Sequence, residues 1–149
     1  MSTLYQLPDL PNILRDRLRV NATLVASPLL PTPLTQISTK RLDKVDVDKR
    51  NYVHIMWDGG FDRHPSLPLQ RPRIALFCYG ETDPKAMELA NLCAAVLVPY
   101  GAQRGWTGEG YAVYDIVQPG TPRPDRHAIF DAPFAKAAFE FRVRLQAID

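Results

Sequence analysis

Two cysteines in 149 residues are too few for a disulfide framework, and their surroundings argue against a bridge between them. Cys78 sits in an apolar run over residues 74–79 and Cys93 in the apolar stripe of a predicted helix, where a free thiol behaves as a small buried hydrophobe. A reduced, cytosolic setting is the expectation. Charge of one sign is equally scarce: 18 Lys and Arg against 16 Asp and Glu leave a net +2. With no basic run, the usual electrostatic footprint of a nucleic-acid binder is missing. No apolar stretch approaches the ~20 residues that a membrane-crossing helix needs. Residues 1–10 also lack the basic start and apolar core of a signal peptide. The expectation is a chain neither exported by that route nor embedded in a bilayer.

What the chain has in excess is proline, fourteen in all, grouped at residues 28–33 and 119–133. Both groups read as ordered or semi-extended arms able to reach a neighbour. The remaining composition, 46% apolar and 23% charged, is that of one globular domain over residues 1–149 with a core of its own.

Asp9 before Leu10 and Pro11 predicts a helix start, and Leu10, Ile13, Leu14 and Leu18 recur at helical spacing. Asn21 caps a second short turn over residues 22–26. Residues 34–50 centre on KRLDKVDVDKR, alternate in sign and offer few apolar anchors, which predicts a solvated loop or protruding hairpin. Residues 52–57 are β-branched and aromatic and end at Asp58, Gly59 and Gly60, a strand followed by a turn. Residues 73–80 form a second strand, apolar on both faces and so covered on both. The second cover could be a neighbouring subunit as easily as a helix.

Asp83 before Pro84 predicts the cap of a helix whose stripe is Ala86, Leu89, Ala90, Cys93, Val96 and Leu97. Pro99 and Gly101 end it. A glycine-rich loop carrying Trp106 then leads to a strand over residues 111–117. The closing strand alternates, with Phe139, Phe141, Val143 and Leu145 on one face and Glu140, Arg142, Arg144 and Gln146 on the other. The predicted fold is α+β: a mainly antiparallel four-stranded sheet, helices packed on one face, and extended arms.

Chemistry is harder to find. His54, Asp58, Asp62 and His64 are the one candidate metal constellation, but their spacing matches no compact zinc pattern and turn-forming roles explain the aspartates. His127 has no partner nearby in sequence. No serine or cysteine occupies a strained G-x-S-x-G turn. Glycines 101, 105, 108 and 110 follow a helix and precede a strand, the reverse of the order that presents backbone amides to phosphate. The paired carboxylates, Glu81 with Asp83 and Asp46 with Asp48, sit in charge-rich loops or at a helix start, where capping explains Asp83. The expectation is no enzyme, no cofactor and no metal. The candidate interface residues are Arg123 and Arg126 on the second proline-rich arm, Trp106 in its loop, and Lys40 and Arg41 in the charged segment.

The motif order resembles the small tail-completion proteins of long-tailed phages. The likeness is carried by the N-terminal helix with LRDRL, the strand and turn YVHIMWDGG, the run RIALFCYGETDPKAMELANLCAAVL and the closing FEFRVRLQAID. It covers most of the chain except residues 34–50 and the loops around Trp106 and Arg123. The resemblance implies a tail terminator, a ring usually of six subunits that caps the finished tail tube and meets the head–tail connector or stopper protein. Its partners would be copies of itself, the tube protein and the connector. No membrane and no specific nucleic acid are implied, although DNA passes through such a ring. Its place would be the virion neck, assembled in the host cytoplasm. Other neck components, head-completion or adaptor proteins, share these features. A small ligand-binding domain or enzyme would instead show a pocket with converging polar groups, and a toxin–antitoxin or regulatory domain a concentrated basic face.

Thiol titration after unfolding without reductant is expected to count two free thiols, and elemental analysis to find no stoichiometric zinc. Fewer thiols, or bound zinc, would contradict this reading of Cys78, Cys93 and the histidines.

Overall fold

A computed structural model describes residues 3–40, 51–60, 62–118, 120–126 and 132–148. In chain order the elements are β1 (Leu4–Gln6), α1 (Leu10–Arg19), α2 (Ala22–Val25), α3 (Pro33–Gln36), β2 (Ile37–Ser38), β3 (Tyr52–Trp57), β4 (Asp62–Arg63), β5 (Leu69–Arg71), β6 (Arg73–Tyr79), α4 (Asp83–Leu97), β7 (Trp106–Thr107), β8 (Ala112–Val117), β9 (Arg123–Arg126), β10 (Pro133–Arg144) and β11 (Gln146–Ile148). The fold is mixed α+β, as composition and periodicity indicate. The sheet is larger than the four strands expected. Among the described residues nine strands, β2 to β10, join in one curled sheet, and β1 pairs with β11 in a separate two-stranded ribbon.

Strand β10 organises the sheet because it is paired along both edges. On one edge it meets β6 from Phe134↔Tyr79 to Glu140↔Arg73, then β5 at Val143↔Gln70. The register carries through between them, since the Phe141 amide donates to the carbonyl of Pro72 at 2.9 Å. Pro72 has no amide to donate, so β5 and β6 are one line of chain interrupted at the proline. On the other edge β9 pairs with residues 133–136 and β8 with residues 140–144. All these pairings are antiparallel; β2 with β3 is parallel. The extra strands are two to four residues long: β2, β4 and β7 have two residues each, too few for a periodic signal, and β5 and β9 contain or adjoin Pro68, Pro72, Pro122 and Pro124, which hid them.

The inner face of β10, Ala135, Ala137, Phe139, Phe141 and Val143, is fully buried. Its alanines allow α4 to lie close, and α4 answers with Ala86, Leu89, Ala90, Cys93 and Leu97. Leu10, Leu14 and Leu18 of α1 and Leu24 of α2 complete the same core. Helix α4 is capped by Thr82, whose hydroxyl accepts from the Lys85 amide at 3.4 Å, and not by Asp83, which lies in the first turn. Asn21 caps α2 as expected, accepting from the amides of Thr23 and Leu24.

Three expectations need correction. Residues 34–50 are not solvated from their start: Gln36, Ile37 and Ser38 are buried, β2 pairs with β3, and Gln36 donates to the Asn51 carbonyl at 3.0 Å. Residues 41–50 lie outside the described residues. The group at residues 28–33 is not a free arm, because Leu29 and Leu30 are buried and the Leu29 carbonyl accepts from Asn51 at 3.0 Å. The group at residues 119–133 supplies β9 and the start of β10. In each case backbone pairing with a buried neighbour outweighs the local loop propensity of proline.

Leu89 is fully buried between α4 and the sheet. Leu89→Ala is expected to lower stability by about 2–5 kcal/mol, read as a lower midpoint in urea unfolding with an unchanged slope.

Candidate functional site

The outer face of the sheet carries an aromatic row. Tyr52 on β3, Tyr79 on β6 and Phe134 on β10 stand opposite one another in register, with Phe77 beside them. Ring centroids lie 5.4 Å apart for Tyr79–Phe134 and 5.6 Å for Phe77–Phe134. Tyr52, Tyr79 and Ala132 are buried there. Within the chain, side chains of the same sheet cover this face of β6 at Tyr79 and leave Phe77 half-buried. Burial raises the Tyr79 hydroxyl's pKa and lowers that of the neighbouring His54, partly offset by a bond with the Thr39 backbone. Desolvation penalises the charged form in both cases.

The described members of the candidate metal constellation, His54, Asp58 and His64, have other contacts. His54 lies on β3 against Phe77, and Asp58 accepts from Lys136 at 3.1 Å. The Nδ1 of His64 accepts from the amides of Ser66 and Leu67 at 3.1 and 3.0 Å, so a turn uses that lone pair. The Asp62 side chain lies outside the described residues. No group of three or more His, Cys, Asp or Glu that could hold a metal stands among the described residues. Cys78 and Cys93 are free and buried, facing each other across the contact of β6 with α4. The hydrogen bond that the Cys78 thiol shares with Cys93, and then burial, push the Cys78 thiol well up, which makes it a poor nucleophile.

The candidate interface residues fall in different places. Lys40 is exposed, its amide donating to the Ser38 hydroxyl at 3.0 Å, and Arg41 lies outside the described residues, as does His127. Arg123 is exposed on β9, where its backbone pairs with Lys136; Arg126 pairs with Pro133, and its side chain is outside the description. Trp106 is half-buried and turned back on its own domain. Its indole N–H donates to the Tyr111 hydroxyl at 2.9 Å, and its ring meets Phe141 edge-on at 6.3 Å.

Trp106 walls an open cleft of about 440 Å³ where α1, α4 and the loop before β7 converge. Leu14, Leu18, Leu97 and Ile116 form its apolar floor, and Arg17, Asn21, Gln103 and Arg104 supply polar groups. The Arg17 guanidinium lies 4.2 Å from the centre of the Trp106 ring, a cation–π contact. Arg104 donates from Nε to the Pro99 carbonyl and from Nη1 to the Ile116 carbonyl, both at 3.4 Å. Sequence reading placed Trp106 but missed Arg17 and Arg104. The one legible signal of Arg17 is its position beside the apolar stripe of α1, three residues after Leu14 and one before Leu18.

Gly105 shapes the wall. Its φ is +88°, and a Cβ there would run into the Val113 carbonyl. Gly105→Ala is expected to cost about 1–3 kcal/mol of stability and to shift the intrinsic fluorescence as Trp106 moves; an unchanged melting curve and spectrum would show that the loop adapts without strain.

No protein-family model matches the chain, and no curated protein matches its sequence.

Proposed function

We propose that this chain is a self-assembling structural protein of the tail-terminator kind, forming a ring that caps a phage tail tube and joins it to the head connector. On this reading it has no catalytic role and no cofactor, and its partners are its own copies, the tube protein and the connector. The order of motifs supports the identity. Self-association is supported by the ribbon β1–β11. Its strands are held to each other by the pairs Leu4↔Ile148, Tyr5↔Ala147 and Gln6↔Gln146, and Arg63 donates to the Tyr5 carbonyl at 3.0 Å. Two strands alone are marginally stable in water. The ribbon nevertheless exposes Leu4 (66%), Tyr5 (38%) and Ile148 (43%). Apolar side chains beside unpaired strand edges are what an added strand from another copy would cover.

The native mass tests the reading. Light scattering is expected to give a multiple of the 16.8 kDa chain mass, with six as the tail-terminator value and another ring order pointing to a different neck component. Leu4→Asp with Ile148→Asp is expected to return the particle to single-chain mass with little change in melting temperature, since both residues are solvent-exposed. A wild-type chain that stays monomeric at high concentration and beside tail tubes would overturn the proposal.

A further inference from the structure

The cleft beside Trp106 combines an apolar floor with two guanidiniums and no carboxylate among its lining residues. Elsewhere the fold neutralises several of its cations: Arg15 has Asp16, Lys136 has Asp58, and Arg142 has Asp115 and Glu140. Neither Arg17 nor Arg104 has an ion pair among the described residues. Each has a structural duty, since α1 and α4 both end at the cleft and cations offset the partial negative charge of helix C-termini. Those duties leave donors over. The Arg17 guanidinium lies over the Trp106 ring, a contact that a guanidinium can keep while it donates from its N–H edge. The two long bonds of Arg104 use Nε and Nη1, leaving Nη2. The Arg17 position is held in turn, because Trp106 is fixed by Tyr111 and Phe141.

A pre-oriented pair of arginines over leucines and an isoleucine recognises a carboxylate carried next to an aliphatic group. The cleft is an open trough, suited to a chain lying across it rather than to an enclosed small molecule. We propose that it is the docking site for an acidic, aliphatic-bearing peptide segment of a partner protein, whose carboxylates pair with Arg17 and Arg104 while an aliphatic side chain sits on Leu14, Leu18, Leu97 and Ile116. The site stands whether or not the chain forms a ring.

The probe is a fluorescein-labelled peptide Glu-Leu-Asp-Leu-Glu, with Gln-Leu-Asn-Leu-Gln as its neutral counterpart, followed by anisotropy on the full chain. Saturable binding of the acidic peptide is expected, weakening as salt rises. Arg17→Met with Arg104→Met keeps long side chains in place and should weaken binding at least ~10-fold, with melting checked alongside. Ala22→Trp, at an exposed position on the cleft rim, leaves both charges and should weaken binding by obstruction, which covers the case in which the double variant fails to fold. Equal affinity for the neutral peptide, or no saturable binding by the wild type at millimolar peptide, would overturn the proposal. So would binding of free decanoate or inorganic phosphate without binding of the acidic peptide, which would make the cleft a small-anion site.

Discussion

Pairing of β10 along both edges is the constraint on which the rest of the fold depends. One continuous strand carries β6 and β5 on one side and β9 and β8 on the other, so short segments that could not persist as strands alone share one template. Its strict alternation also divides the molecule. Every second residue from Ala135 to Val143 is fully buried against the helices, while the residues between them meet the outer face. A one-residue slip would exchange the two sets, and the cost of exposing Phe139 and Phe141 fixes the register of four neighbours at once.

How much of this could be read in advance follows the same logic. Where a segment's own periodicity matched its burial, as in β10, α1 and the stripe of α4, the sequence was legible. It was not legible where burial came from a distant partner. Ile37 and Ser38 look like the entry to a charged loop, yet they complete the edge beside Val53 and His54. Pro124 reads as an arm and lies opposite Ala135 in the sheet. The capping of α4 turned on a single residue: Thr82 and Asp83 are both good caps, and the choice depends on backbone angles that local sequence leaves open. Of the cleft, Trp106 was visible as an aromatic in a glycine loop, whereas Arg17 and Arg104 come together only because two helices and a loop end at one place.

The two faces of the sheet solve burial differently. The inner face uses aliphatic residues and alanines so that α4 can approach, and its two thiols serve as small apolar groups. The outer face uses tyrosine and phenylalanine rings that cover one another, which keeps Tyr52 and Tyr79 from water. His54 at the edge of that row is held toward its neutral form by burial, as befits a surface closer to a core than to a wet face.

The ribbon β1–β11 joins residues 4–6 to residues 146–148, so its two strands bracket nearly all of the sequence between them. Closing a loop of that size costs entropy that three residue pairs return only when the intervening domain already holds the ends together. The ribbon is thus a readout of finished tertiary structure: a chain with its sheet misregistered or α4 undocked would not bring Leu4 beside Ile148. Any association that uses this edge selects, by geometry alone, for chains that have folded.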